Sequence, residues 1–241
     1  MLKKKYTHLF FDLDNTLWDF EKNSFYAMQN TFSHFHLEKQ GVDFEDFFRV
    51  YSKHNDHLWS EYRKGNVIKR DLKLLRFQLT FDELLLSGIA PDEMSSFYLT
   101  EMPLQKRLVS GAIELLDYLK AKSYNLAIIT NGFSEVQLKK TEQTGLSKYF
   151  SKIYISENVK CPKPLPGIFE HAIKSSNAPK KSSLMIGDDF QTDIIGALRY
   201  GIDAVWLNPS GDNLETKLIE KKIQTPQAYS VCLLNELRHI L

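Results

Sequence analysis

Asp12 and Asp14 stand two residues apart, directly after the apolar run Leu9-Phe10-Phe11. Two carboxylates at a strand end can converge on one site, and charges that close repel unless a cation lies between them. A second acidic group, Gly187-Asp188-Asp189-Phe190-Gln191-Thr192-Asp193, follows another apolar run and opens a helix. Acids there are ordinarily helix N-terminal caps, which accounts for Asp189 and in part for Asp193. Capping does less well with Asp188, which belongs at a strand tip beside Asp12. Three or more converging hard oxygen ligands fit Mg²⁺, a cation that uses few carboxylates, keeps waters and takes substrate phosphate.

Two further pieces could handle phosphate. Thr130-Asn131-Gly132 ends an apolar run, and a hydroxyl with main-chain N–H groups in a turn leading to a helix suits a phosphate oxygen. From these residues alone a plain strand-to-helix turn capped by Ser134 fits equally well. Cys161-Pro162-Lys163-Pro164-Leu165-Pro166 presents one lysine from a loop stiffened by three prolines. A lone lysine is ordinarily solvated, so Lys163 gains meaning only from the other pieces.

The elements that must position these residues are short apolar runs, each ending in a polar residue. They are Leu9–Phe11 into Asp12, Leu126–Ile129 into Thr130, Leu184–Gly187 into Asp188, Ala204–Leu207 into Asn208 and, more weakly, Ile153–Ile155 into Ser156. Runs without polar alternation suit strands buried on both faces of a parallel sheet. Helical segments separate them. Ser134-Glu135-Val136-Gln137 reads as a capping box opening a helix that reaches Gly145. Gly111–Lys122 has helical periodicity, Pro166 starts a helix through Ile173, and Asp193–Tyr200 is a helix closed by Gly201. The expected fold is α/β, a doubly wound parallel sheet with ligands beyond the carboxyl ends of its strands.

Between Leu17 and about Arg107 the alternation stops. Amphipathic helices are expected near Glu21–His36, Phe44–Tyr62, Lys69–Leu86 and after Pro91. Most of the many aromatics there are the core of a small bundle. An insert after the first strand is positioned to act as a lid. The expected division is a core of 1–16 and 107–241 and a helical insert of 17–106.

The bulk numbers exclude several classes. A net charge of +1 among 241 residues gives no field toward nucleic acid or anionic lipid. Lys3–Lys5 and Lys180–Lys181 are short runs, not a basic stripe. Met1-Leu2-Lys3-Lys4-Lys5 imitates the start of a signal peptide, but no apolar region follows. No stretch is long enough to span a bilayer. Two distant cysteines, Cys161 and Cys232, make neither a metal site nor a disulfide framework, and a cytoplasmic location is expected.

The ordered set resembles the haloacid dehalogenase superfamily over nearly the whole chain. Asp12-x-Asp14-x-Thr16, the strand-end Thr130, Lys163 and Gly187-Asp188-(x)₄-Asp193 are similar to its four motifs, and the insert to its C1-type helical cap. The segment Asp14–Phe20 and the form Gly-Asp-Asp-Phe-Gln-Thr-Asp-Ile look like the branch holding pyrimidine 5'-nucleotidases. The resemblance implies a Mg²⁺-dependent phosphomonoester hydrolase with Asp12 as nucleophile and Asp14 as general acid and base. It implies metal ligation by Asp12, Asp188 and the main-chain carbonyl of Asp14, and phosphate binding by Thr130, Asn131 and Lys163. Thr16, Asp189 and Asp193 are implied to support them, by orienting the loop, holding metal waters or orienting Asp188 and Lys163. Trp18 and Phe20 are the first candidates to line the entrance, with plain packing as the competing account.

Asp14 argues against carbon–halogen cleavage, whose enzymes lack this aspartate. Left open are a sugar phosphate or phosphoglycolate phosphatase, a phosphomutase, and a non-catalytic phosphate-binding module. The expected partner is a small phosphate ester, with no nucleic acid and no membrane, and the chain a monomer or weak homodimer.

Overall fold

A computed structural model of the chain describes residues 5–222 and 227–241. Met1–Lys4, most of the lysine-rich start, lie outside the described residues. In chain order the main elements are β1 (His8–Phe11), α1 (Phe20–His34), α2 (Phe44–Lys64), α3 (Lys69–Leu84), α4 (Pro91–Glu101), α5 (Ala112–Ala121), β2 (Asn125–Thr130), α6 (Ser134–Gln143), β3 (Lys152–Ile155), α7 (Ser156–Val159), α8 (Pro166–Ser175), β4 (Ser183–Gly187), α9 (Gly196–Tyr200), β5 (Asp203–Leu207), α10 (Leu214–Glu220) and β6 (Ala228–Val231). They form two compact units, one of 1–20 and 107–241 and one of 21–106.

In the first unit all six strands lie parallel in the order β3-β2-β1-β4-β5-β6. β1 is flanked on one side by β2 and on the other by β4, so the winding reverses there. The carboxyl ends beside such a reversal form the crevice of an open α/β sheet. Asp12, Thr130 and Asp188 are the residues at those three ends. The inner strands are buried almost throughout, as continuous apolar runs require. One side of the core joins Phe10, Ile129, Ile168, Phe169, Met185 and Trp206.

β6 was not expected. It is a four-residue edge strand with only its last residue buried, and it lacks the unbroken apolar run that marks the inner strands. The first unit also keeps Leu17–Phe20. Asp19 N donates to Arg107 O at 3.1 Å and Val109 N to Leu17 O at 2.9 Å, so the returning chain pairs with the departing one.

The second unit contains α2 and α3 packed together, with α4 against α3. Asp43 caps α2 by accepting from Asp46 N at 2.8 Å, and Gly65 ends it with φ 82°. Tyr51, Phe77 and Tyr98 cluster with ring centroids 5.1–5.9 Å apart, and the buried Arg76 guanidinium lies over their faces. Phe32 meets Phe44 and Phe47 edge to face at 5.5 Å. No described helix is long and apolar enough to cross a membrane.

Candidate active site

Asp12 continues β1 and its N–H donates to Ile186 O on β4 at 2.8 Å. That bond sets the carboxylate at the sheet's edge, where it is only 7% exposed. Lys163 reaches it from a loop far along the chain. Its ammonium lies 2.5 Å from Asp12 Oδ1 and 2.6 Å from Asp193 Oδ1, and donates to Ile129 O at 2.9 Å. Lys163 is thus buried among acceptors rather than solvated. Burial alone would lower its pKa, but the Asp12 and Asp193 carboxylates outweigh burial and hold it above the ordinary lysine value.

Asn131 fixes the lysine's main chain. Its Oδ1 accepts from Lys163 N at 2.8 Å and its Nδ2 donates to Lys163 O at 3.0 Å. The Asn131 side chain is therefore committed to the lysine loop. Thr130 Oγ1 accepts from Gly132 N at 3.2 Å and from Gln137 Nε2 at 2.6 Å. With both lone pairs engaged, the hydroxyl proton is left to donate.

On the other side of β1, Thr16 Oγ1 donates to Asp188 Oδ1 at 3.0 Å and accepts from Asp188 N at 3.1 Å. Thr16 is wholly buried and orients Asp188. The Trp206 indole N–H holds the Asp188 carbonyl at 2.8 Å. Asp189 accepts from Gln191 N and Thr192 N at 2.8 and 2.9 Å, the geometry of a helix cap. The helix it opens begins earlier than the sequence indicates: a π-helical turn over Phe190–Ile195 precedes α9. Such turns recur at functional sites, and this one carries Asp193 to Lys163. A Cβ on Gly187 would lie 2.2 Å from Asp193 Oδ2, so only glycine admits that carboxylate.

Asp12, Asp188 and Asp193 bring one oxygen each to within 4.8 Å of one another. Burial pushes all three carboxyl groups up, Asp188 to about 7; Lys163 opposes this at each, and the neighbouring acids reinforce it. One lysine faces three carboxyl groups, two of them buried and one half-buried, so positive charge is short when they ionise. A hard divalent cation among these oxygens would supply what is missing, so the donor set fits Mg²⁺. Asp189 stands outside this cluster.

Linkage gives the sign of a pH effect. A carboxyl raised in the folded state favours folding below its unfolded pKa near 3.8, and the contribution is lost as pH rises through about 7. Without cation the protein should lose melting temperature between about pH 4 and pH 7 for this reason. Mg²⁺ should therefore raise Tm more at pH 8 than at pH 5, because ligands must be deprotonated to bind it. A Tm increment independent of pH would contradict the assignment of these acids.

Asp14 points elsewhere. Its Oδ1 accepts from Lys140 Nζ at 2.6 Å and its Oδ2 from Gln137 Nε2 at 2.8 Å, both on α6. Sequence reasoning missed Lys140 and misread Gln137. The expected capping box is absent: the residue before α6 is Phe133, and Ser134 N donates to Glu157 Oε2 instead. Gln137 is free to turn inward because Gly132 has no side chain; a Cβ there would meet Gln137 at 2.4 Å. The signal available in the sequence was spacing, since residues three apart share a helix face. Trp18 is wholly buried with its ring under the Lys140 ammonium, 3.9 Å from Nζ, so it packs rather than lines an entrance.

The doubly wound parallel sheet with acids at its strand ends and a buried lysine between them places the chain in a class of α/β proteins, and its similarities say which one. The model of the haloacid dehalogenase-like hydrolases matches residues 6–201, and the chain belongs to that family. It is 33% identical over 205 residues to the pyrimidine 5'-nucleotidase YjjG of Escherichia coli K12, covering 85% of this chain and 87% of that one. It is 34% identical over 209 residues to the pyrimidine 5'-nucleotidase PynA of Streptococcus pneumoniae R6, covering 85% and 84%. Its fold matches a crystal structure of the HAD-hydrolase YfnB of Bacillus subtilis bound to magnesium, with TM-score 0.84, 27% identity and 99% of each chain covered.

Proposed function

We propose that this hydrolase is a Mg²⁺-dependent phosphatase that prefers pyrimidine nucleoside 5'-monophosphates. The observation that carries the phosphatase reading is the convergence of Asp12, Asp188, Asp193 and Lys163 at the sheet's carboxyl edge. The substrate preference is supported by the similarity to two pyrimidine 5'-nucleotidases over 85% of the chain.

Asp12 attacks phosphorus, and the bond to the ester oxygen breaks as the aspartyl-phosphate forms. Asp14, entering as the carboxylic acid, gives its proton to the leaving alcohol oxygen. As carboxylate it then takes a proton from water, whose oxygen attacks phosphorus while the bond to Asp12 breaks. Inorganic phosphate leaves and Asp14 is again protonated. Lys163, the Thr130 hydroxyl and the Asn131 N–H neutralise phosphoryl oxygens as charge shifts. Asp12, Asp188 and the Asp14 carbonyl would hold Mg²⁺, which when bound screens the anionic nucleophile from the anionic ester. Thr16 and Asp193 keep Asp188 and Lys163 in place.

The test is kcat/KM on matched panels. UMP, CMP and dTMP should exceed AMP, GMP and sugar phosphates by about tenfold or more, the scale at which a pocket separates similar groups. A preference for a sugar phosphate would retire the nucleotidase reading and leave the phosphatase reading standing.

A further inference from the structure

Lys140 is 2% exposed, yet it carries an ammonium group on α6. A buried charge costs several kcal/mol and persists only with good partners. It forms an ion pair with Asp14 at 2.6 Å. Two rings lie against it, with Nζ 3.9 Å from the Trp18 centroid and 5.4 Å from that of Phe20. The Trp18 face attracts the cation and limits where it can go. Burial lowers the Lys140 pKa, and Asp14 opposes that.

Gln137 completes the arrangement. It is wholly buried, and its Nε2 donates both to Asp14 Oδ2 at 2.8 Å and to Thr130 Oγ1 at 2.6 Å. The amide presents its nitrogen to Asp14, and each Asp14 oxygen keeps a further lone pair that can carry the proton. Each Asp14 oxygen thus receives a bond from a different residue of one rigid helix. One amide ties Asp14 to Thr130. The Asp14 side chain itself is 27% exposed and would otherwise rotate.

We propose that Lys140, held by Trp18, and Gln137, held by Thr130, are positioning residues that clamp the Asp14 carboxyl in the one place from which it serves the leaving oxygen. The inference rests on the reading of Asp14 as general acid. Proton delivery depends on placement within hydrogen-bond reach, so a loosened Asp14 penalises esters whose leaving group needs the proton. A p-nitrophenolate leaves well without it.

The experiment compares wild type, Lys140→Met, Gln137→Leu, Asp14→Asn and the Asp14→Asn/Lys140→Met double variant. The readout is kcat/KM, which reports the first phosphoryl transfer, on a series running from p-nitrophenyl phosphate to an alkyl phosphate. Methionine preserves the stem over Trp18, and melting temperatures identify misfolded preparations. Lys140→Met should lose about 10- to 100-fold on the alkyl ester, part of what general acid catalysis supplies, and only a few-fold on p-nitrophenyl phosphate. Gln137→Leu should follow the same slope more weakly. The double variant should match Asp14→Asn. Equal losses across the series in Lys140→Met and Gln137→Leu, with Asp14→Asn still steepening it, would overturn the clamp alone. A flat series in Asp14→Asn would overturn the general-acid reading and the clamp with it.

Discussion

Asp12→Asn should fold like the parent and turn over phosphate esters about 10⁴- to 10⁶-fold more slowly, the scale of losing a covalent nucleophile. The carboxamide has almost the same shape, and the bond from Asp12 N to Ile186 O that fixes the residue is main chain. What disappears is the anionic oxygen that attacks phosphorus. The substitution also removes one of three crowded carboxylates whose burial pushes their pKa values up. The variant should therefore melt no lower than the parent in chelator, although it is nearly inactive. Loss of activity together with loss of Tm would show only a damaged fold. Substantial turnover by a pure Asp12→Asn preparation would sink the aspartyl-phosphate mechanism.

Chelation should abolish turnover, and added Mg²⁺ should restore it. Asp12, Asp188 and Asp193 face one another with Lys163 as the cation between two of them. A phosphate dianion approaching that cluster meets further repulsion, so the uncatalysed approach to Asp12 is disfavoured without a divalent ion. Ca²⁺ should inhibit: it takes six to eight ligands at about 2.3–2.6 Å, against the tight octahedron of Mg²⁺, and would misplace the nucleophile. Full activity in excess chelator would refute the metal requirement.

The placement of the strand-end residues was legible because both signals are local. An apolar run ending in aspartate specifies a buried parallel strand and what lies at its tip, and Asp12, Thr130 and Asp188 stand where that logic puts them. Lys163 was legible only as part of an ordered set, since nothing in a proline-rich loop says that its ammonium is buried between two acids. Gln137 and Lys140 were not legible. In sequence they belong to an ordinary polar helix, and the capping-box pattern offers Gln137 a local partner. The structure gives it a distant one, 123 residues away in Asp14. β6 was missed for the converse reason: an edge strand needs no continuous apolar run. The π-helical turn at Phe190 has no local signature either.

The Asn131 carboxamide is in effect a peptide group detached from the main chain. It offers one N–H and one C=O to Lys163, as a neighbouring strand would. Where the ladder of the sheet stops, this side chain adds one more rung. The rung joins two loops that otherwise have independent lengths and compositions. Any residue but proline at 163 keeps its half of the rung, because that half is main chain, so the demand falls on the side chain at 131. Aspartate at 131 would keep the acceptor and lose the donor, and a hydrophobe would lose both.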